Sequence, residues 1–181
     1  MLAFLLGGAR SGKSGLGQRL AASAAAAAGA GTRVTVIVTA EAGDDEMAER
    51  IARHRADRPT AWRTVAAPRA LVPACEALAP DDVVLVDCLS FWAANLVMDG
   101  CDEAAVVAGA AAFSAWATAR PGWVVAVSNE VGAGVVPDNA LARAFRDVLG
   151  RVNATVAAAA DRAWLVAAGR TVALAPPPEA L

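Results

Sequence analysis

A strand pattern, a glycine-rich loop and a helix pattern follow one another at the start of the chain and limit its fold more than any other feature. Leu2–Leu6 is a short apolar run that predicts a buried strand, and Lys13–Ala28 has the composition of a helix. Residues 7–14, Gly-Gly-Ala-Arg-Ser-Gly-Lys-Ser, satisfy the pattern G-x-x-x-x-G-K-[ST]. In this order the backbone N–H groups of the loop wrap phosphates at a helix N-terminus, so the sequence predicts a P-loop nucleotide-binding fold.

All residues of this loop are predicted to bind nucleotide, namely Gly7, Gly8, Ala9, Arg10, Ser11, Gly12, Lys13 and Ser14. Lys13 is also predicted to be catalytic, because its ammonium group would reach the β and γ phosphates, and Ser14 would ligate Mg²⁺. The chain contains 15 arginines and a single lysine. A composition so biased toward arginine indicates that lysine is kept only at a position where arginine cannot replace it.

Short apolar runs and helix patterns alternate along the rest of the chain. Further strands are predicted at 34–38, 83–86, 123–127 and 164–167, and helices at 45–57, 68–78, 103–117 and 139–160, the last with Asp138 as its N-cap. Nearly continuous apolar strands are typical of parallel sheets that are buried on both faces. The sequence therefore predicts an α/β fold with a mainly parallel sheet flanked by helices, and a possible antiparallel edge strand at 171–174.

Length, charge and cysteine content limit the partners and the compartment. A chain of 181 residues suits one domain, expected at 1–174, with a flexible tail at 175–181. The net charge of −2 makes nucleic acid an unexpected partner. The longest uncharged apolar run, 104–119, is mostly alanine and shorter than the roughly 20 residues of a membrane span, so membrane insertion is not expected. Three cysteines without a C-x-x-C pair favour neither a disulfide framework nor a zinc site, and we expect a cytoplasmic location.

Two residues at the ends of predicted strands extend the candidate nucleotide site. Asp87 directly follows the apolar strand at 83–86, where a carboxylate can hold the water shell of a metal ion, so it is predicted to bind Mg²⁺ and nucleotide. Many buried strands end in a structural aspartate. The assignment of Asp87 to the metal site therefore depends on residues 7–14, which we call the phosphate loop. Thr39, at the end of the strand at 34–38, is included among the predicted nucleotide-binding residues.

The single histidine, His54, lies in a predicted helix with an acidic start and a basic end, the polarity that a helix dipole favours. Among the arginines around it, Arg55 and Arg58 are predicted to bind nucleotide phosphates. A cationic cluster also favours a neutral, nucleophilic imidazole, so His54 is a candidate catalytic residue. The structural alternative stays open, in which His54 packs beside Ile51 or belongs to a solvated charged face.

A third polar loop follows the strand predicted at 123–127. Asn129 and Glu130 stand at its start, and polar groups at the carboxyl end of a parallel strand face the ligand crevice. Both are predicted to bind substrate. The alternative is an ordinary connection between a strand and a helix.

Taken together and in order, these motifs resemble those of one enzyme family. They are residues 7–14, Asp44-Asp45-Glu46-Met47 with Arg50, His54 and Arg58-Pro59, Leu85-Val86-Asp87-Cys88 with Trp92 and Asn95, Asn129-Glu130-Val131-Gly132, and residues 141–153. The family is the bifunctional adenosylcobinamide kinase and adenosylcobinamide-phosphate guanylyltransferase of cobalamin biosynthesis. The resemblance spans almost the whole chain.

This resemblance implies a RecA-like P-loop fold and two successive reactions. A nucleoside triphosphate first phosphorylates the aminopropanol hydroxyl of adenosylcobinamide. GTP then transfers GMP, through a histidine of the enzyme, to adenosylcobinamide phosphate, which gives adenosylcobinamide-GDP and pyrophosphate. The resemblance further implies GTP and ATP as substrates, Mg²⁺ as cofactor and a homotrimer. His54 matches the family's guanylylated histidine, although Arg53 stands where some members carry a second histidine.

Two other functions stay open from the residues alone. The chain could be a P-loop kinase of another small metabolite, with His54 structural, or a nucleotide-binding subunit without catalysis. Corrinoid-dependent consumption of GTP with release of pyrophosphate separates the function of the family from a kinase of another metabolite. A subunit without catalysis would bind nucleotide but show no acceptor-dependent turnover.

Overall fold

The computed structural model describes residues 1–176, apart from the side chain of Arg50. Its strands are β1 (Leu2–Gly7), β2 (Val34–Val38), β3 (Arg63–Ala66), β4 (Val83–Asp87), β5 (Val124–Asn129), β6 (Arg162–Ala167) and β7 (Arg170–Ala173). Its helices are α1 (Lys13–Ala28), α2 (Asp45–Ala56), α3 (Leu71–Glu76), α4 (Leu89–Met98), α5 (Glu103–Ala119) and α6 (Ala140–Ala159). The tail predicted at 175–181 lies outside the described residues from residue 177 onward.

The strands form one sheet in the order β3-β2-β4-β5-β1-β6-β7. All neighbours pair in parallel except β6 and β7, which form an antiparallel pair at the edge. The predicted α/β fold, with a mainly parallel sheet and an antiparallel edge strand, is therefore confirmed. Since parallel strands end on the same side of a sheet, the loops after β1, β2, β4 and β5 meet at one edge.

Helices cover both faces of the sheet and bury its apolar side chains in two clusters. On one face α1 packs over a cluster that contains Leu5 and Leu85. On the other face Phe4 belongs to a cluster with Phe113 of α5 and Leu149 of α6. Each buried side chain of this size stabilises the fold by about 1.5–3 kcal/mol. The sheet is thus a firm support for the loops at its carboxyl edge.

The sequence patterns missed two elements, β3 and α4. Most residues of β3 are exposed at the sheet edge, so the strand carries no apolar run. α4 is apolar along nearly its whole length and buries Leu89, Trp92 and Ala93, so it lacks the polar face that marks an amphipathic helix. Within residues 1–176 no helix, including these apolar ones, is long and apolar enough to cross a membrane.

Two predicted helix starts are wrong. Asn139, rather than Asp138, caps α6, because its side-chain oxygen accepts a backbone N–H of the first turn at 2.7 Å. α3 begins at Leu71 rather than Pro68. The carbonyl oxygens of Pro68 and Arg69 accept hydrogen bonds from side chains of α4 instead of joining a helix.

Two helical glycines differ in the space around them. A Cβ on Gly17 in α1 would lie 3.0 Å from a methyl of Val127 and 3.2 Å from a methyl of Leu85. A Cβ on Gly150 in α6 would meet nothing within 4 Å. Gly17 therefore sets how closely α1 approaches the sheet, whereas Gly150 has no such role among the described contacts.

Gly17→Leu should lower the free energy of unfolding by about 1–3 kcal/mol, because the larger side chain forces α1 away from the sheet. Gly150→Leu is the matched control and should raise it by up to about 1 kcal/mol, since leucine favours a helix more than glycine does. Urea unfolding of the purified variants measures both values. Equal effects of the two substitutions would contradict the close packing of α1.

Candidate active site

Contacts that only glycine permits shape the phosphate loop between β1 and α1. A Cβ on Gly7 would collide with the carbonyl oxygen of Val166 in β6, and Gly12 has a φ of 97°, in the left-handed region. The N–H of Gly169, in the turn between β6 and β7, donates to the carbonyl of Ser11 at 2.8 Å. The loop is therefore held from the side by the β6–β7 hairpin.

Two polar side chains are buried inside this loop. Lys13 is only 7% exposed, and its Nζ donates to the carbonyl of Gly8 at 2.9 Å. Ser11 is buried, and its hydroxyl has no hydrogen-bond partner among the described residues. Leaving a buried hydroxyl unsatisfied costs about 1–3 kcal/mol, so a ligand oxygen bound here would stabilise the loop.

Thr39 fixes the backbone at the end of β4. Its hydroxyl donates to the carbonyl of Cys88 at 2.6 Å and accepts the Cys88 N–H at 3.0 Å, while its own N–H donates to the carbonyl of Asp87. The Asp87–Cys88 peptide bond is cis. The Thr39 carbonyl accepts the amide of Asn95 from α4 at 2.9 Å. These contacts place the Asp87 carboxylate, and a direct contact of Thr39 with nucleotide stays a prediction.

A series of side-chain hydrogen bonds supports Asn129 at the end of β5. Its Nδ2 donates to Ser90 Oγ at 2.7 Å, and Ser90 Oγ lies 2.9 Å from Cys88 Sγ. Asn153 Nδ2 of α6 donates to the Asn129 carbonyl at 3.0 Å. Burial raises the pKa of the Cys88 thiol, so the thiol stays protonated in this series. The ends of β4 and β5 are thereby joined beneath the site.

Glu130 folds back on its own loop. Its carboxylate accepts the N–H of Gly132, whose carbonyl accepts Arg146 of α6 at 2.9 Å. The Glu130 N–H donates to the carbonyl of Gly7 at 3.0 Å. Its backbone therefore connects the third loop to the phosphate loop, while its carboxylate shapes the turn.

Helix α2 faces the phosphate loop and carries His54. Asp44 caps this helix, and its carboxylate accepts the N–H of Met47 at 2.7 Å. None of the described side chains of α2 is buried, but Met47, Ile51 and His54 are half-buried and share one face. Together with residues 10–14 of the phosphate loop, His54 lines a cleft of about 460 Å³. That volume lies in the range of small-molecule sites.

Arg58, just beyond α2, joins this segment to the end of β4. Its Nη2 donates to Oδ2 of Asp87 at 2.7 Å, and the side chains are only 6% and 16% exposed. The Nε of Arg58 is buried and has no partner among the described residues. The sequence predicted these residues separately, as ligands of phosphate and of metal, and the structure brings them together as an ion pair.

Most predicted site residues meet at this edge of the sheet. One cavity is lined by Lys13, Ser14, His54, Arg58, Asp87 and Asn129, and Arg10, Ser11 and Gly12 line the adjoining cleft. Arg55 is exposed, next to His54 on the helix. The arrangement joins a glycine-rich loop that fits phosphates, an imidazole and a carboxylate around one space, which suits transfer between phosphates.

The sequence model of the family described as "Cobinamide kinase / cobinamide phosphate guanyltransferase" matches residues 3–174. The chain belongs to this family. The protein named "Bifunctional adenosylcobalamin biosynthesis protein CobU" from Salmonella typhimurium is 41% identical over 182 residues, which cover 93% of this chain and 97% of the relative. The one named CobP from Pseudomonas aeruginosa is 41% identical over 167 residues, which cover 91% and 92%. The resemblance noted in the sequence is confirmed.

The donor atoms of this kinase and guanyltransferase family member fit a Mg²⁺ ion that is bound together with nucleotide. Ser14 and Asp87 line the same cavity and offer hydroxyl and carboxylate oxygens, the ligand type that Mg²⁺ prefers. Among residues 1–176, no group of three or more His, Cys, Asp and Glu side chains could hold a metal ion.

Sequence reasoning assigned no role to the residues that support the site from below. Ser90 and Asn95 lie in α4, which the patterns did not predict as a helix, and both are buried. A polar side chain inside an apolar segment needs hydrogen-bond partners when it is buried. That signal was present in the sequence, but it does not tell which partners the side chains meet.

Arg69 also escaped prediction, and it contacts the segment that precedes α2. Its guanidinium pairs with Glu41 at 2.7 Å and with Asp99 at the end of α4. The hydrogen bonds from Arg69 hold the pKa of Asp99 below its usual range. The Arg69 carbonyl accepts the indole N–H of Trp92 at 2.9 Å, which fixes the backbone of this arginine to α4.

Thr39→Val should lower the free energy of unfolding by about 1–3 kcal/mol, because it leaves the N–H and carbonyl of Cys88 without their partner. Thr35→Val in β2 is the matched control. Thr35 is fully buried and its hydroxyl has no partner within residues 1–176, so this change should be neutral or stabilising by up to about 1 kcal/mol. Urea unfolding measures both variants, with Thr39→Ser expected near wild type. A Thr39→Val variant as stable as wild type would show that the hydroxyl does not hold the β4 end.

Proposed function

We propose that this chain catalyses two successive reactions in one cleft. It phosphorylates the aminopropanol hydroxyl of adenosylcobinamide, and it then transfers GMP from GTP through His54 to adenosylcobinamide phosphate. The observation that carries the proposal is the place of the single histidine, which lines one cleft with the phosphate loop in a member of the cobinamide kinase and guanyltransferase family. The alternative of a merely packed histidine is not favoured, because His54 is half-buried on the cleft wall.

The phosphate loop would bind the triphosphate in both reactions. Its N–H groups and the Lys13 ammonium would neutralise the β and γ phosphates, and the unsatisfied Ser11 hydroxyl would donate to a phosphate oxygen. Ser14 and Asp87 would hold Mg²⁺, which neutralises further phosphate charge when bound. The protein's own task is to align the attacking oxygen with the γ phosphorus.

In the second reaction a ring nitrogen of His54 would attack the α phosphorus of GTP. The new N–P bond forms as the bond to the bridging oxygen breaks, and pyrophosphate leaves. A phosphate oxygen of the corrinoid then attacks the same phosphorus, the N–P bond breaks and the imidazole is restored. Arg55, exposed beside His54, would offset negative charge on the incoming phosphates.

Asn129 and Glu130 would contact the acceptor. The amide of Asn129 is oriented by its hydrogen bond to Ser90 and lines the cavity beside Lys13 and Asp87. A preoriented amide can position a hydroxyl group for attack without loss of side-chain freedom. The backbone of Glu130 would keep this acceptor loop in contact with the phosphate loop.

Three further parts of the proposal concern substrates, assembly and location. GTP and ATP serve as nucleotides, and adenosylcobinamide and adenosylcobinamide phosphate as acceptors, as the family description supports. We propose a homotrimer on the family resemblance and a cytoplasmic location on the free cysteines Cys75, Cys88 and Cys101, which suit a reducing compartment.

Lys13→Ala should lower kcat/KM for the kinase reaction at least about 100-fold, because a preorganised cation on the transferring phosphate is lost. Lys13→Arg should not restore it, since the planar guanidinium differs in shape from the ammonium group. Arg19→Ala removes an equal charge at an exposed position of α1 and is the control. Steady-state kinetics measures all three, and normal turnover in Lys13→Ala would overturn the assigned phosphate site.

His54→Ala should lose the covalent GMP adduct and all guanylyl transfer, while phosphorylation of adenosylcobinamide continues because the phosphate loop is unchanged. The measurement is incubation with α-labelled GTP, denaturing electrophoresis and a separate kinase assay. Truncating this half-buried side chain should cost about 1 kcal/mol of stability, so unfolding would not explain the loss. Label retained by His54→Ala would place the nucleophile on another residue type, since no second histidine exists.

A further inference from the structure

We infer that Arg58 is a positioning residue, whose ion pair with Asp87 holds helix α2, and with it His54, against the phosphate loop. The inference rests on the proposed role of His54 as guanylyl acceptor. It differs from the sequence prediction, in which Arg58 contacts the nucleotide directly.

Helix α2 has little else to hold it in place. Its described side chains are all exposed or half-buried, and Met47, Ile51 and His54 alone among them form the half-buried face. A segment with few buried apolar contacts has low local stability and opens easily. The position of α2 must therefore depend on the attachments at its two ends.

At the N-terminal end the attachment is exposed. Arg69 pairs with Glu41 and Asp99, but the three side chains are 42%, 47% and 42% exposed. Ion pairs in contact with water are weakened by solvent and salt, so they contribute little to holding a helix.

At the C-terminal end the attachment is buried. Arg58 and Asp87 meet at 2.7 Å with side chains 6% and 16% exposed, and removing either partner leaves a charge shielded from water. The Arg58 N–H donates to the Arg55 carbonyl at 3.3 Å, so the turn that bears Arg58 continues directly from the last turn of α2. His54 lies in that last turn, one helical turn from Arg58.

The other partner of the pair is itself fixed. Thr39 binds the backbone on both sides of the Asp87–Cys88 peptide bond, and Asn95 holds Thr39. A continuous series of contacts thus runs from the sheet through Asp87 and Arg58 to the helix turn with His54. Displacement of a reacting group by about 1 Å can lower a rate about 100-fold, so this series controls the guanylylation step.

The single histidine allows a direct test on nucleotide-free protein. Modification of untagged protein by diethyl pyrocarbonate at pH 8, followed at 240 nm, reports on His54 alone. Arg58→Met should raise the modification rate at least roughly threefold, because α2 opens more often. Arg63→Met, at an exposed position of β3, is the matched control and should leave the rate unchanged.

A double-mutant comparison tests the pair itself. Asp87→Asn should also raise the modification rate of His54, and Arg58→Met combined with Asp87→Asn should add nothing further, since both remove the same interaction. The thiol of Cys75 is buried in α3, and burial raises its pKa to about 12. It reports on general loosening of the fold and should react no faster in the variants than in the wild-type protein. Additive effects of the two changes, or faster reaction of Cys75, would overturn the inference.

Kinetics then separates positioning from direct binding of nucleotide. In Arg58→Met the single-turnover rate of adduct formation from α-labelled GTP should fall about 100-fold, with a much smaller loss of kinase turnover. Arg58→Lys, which keeps the charge, should recover part of the rate. An unchanged modification rate of His54 together with a raised KM for GTP would show that Arg58 binds nucleotide and would overturn the inference.

Two controls keep the outcomes distinct. Far-ultraviolet circular dichroism establishes that each variant is folded, and if Arg58→Met fails to fold, Arg58→Lys and Asp87→Asn are compared by the same modification assay. Absence of any adduct in the wild-type protein would refute the proposed function of His54. The modification rates would still decide whether Arg58 holds α2.

Discussion

A parallel sheet buried on both faces aligns the carboxyl ends of its strands, and the polar groups at the ends of β1, β4 and β5 depend on that alignment. β1 leads into the phosphate loop, β4 ends at Asp87 and β5 ends at Asn129, and these strands are neighbours in the order β4-β5-β1. Helices on both sides keep the strands from moving relative to one another. Residues far apart in the sequence therefore form one edge with fixed spacing.

The site has a firm part and a lightly held part. The phosphate loop is bound to β6, to the β6–β7 turn and to the loop after β5 by backbone contacts, and the ends of β4 and β5 rest on side chains of α4 and α6. Helix α2 has no such backing and no buried side chain among those described. Under the proposed function, phosphoryl transfer uses the firm part, whereas guanylylation also needs the lightly held helix. One cleft can thus serve two reactions with different structural demands.

The sequence patterns predicted the segments with a clear motif or periodicity. They missed the segments without one and the contacts between residues far apart in the chain. The phosphate loop and the parallel strands are encoded by contiguous residues, so pattern and spacing were enough to find them. β3 and α4 escaped because an exposed edge strand and an entirely apolar helix lack the expected alternation of polar and apolar residues. The pairing of Arg58 with Asp87, 29 residues apart, has no periodic signal at all. It forms where the segment after α2 meets the end of β4, a contact between elements that no local pattern encodes.

The central place of β1 has a consequence for synthesis on the ribosome. The phosphate loop is made before both neighbours of β1, since β5 and β6 come from residues 124–167. The turn whose Gly169 holds Ser11 is made later still. A nascent chain therefore carries β1 without its neighbouring strands until β5 has emerged. The phosphate loop therefore lacks this lateral contact until the β6–β7 turn has been made.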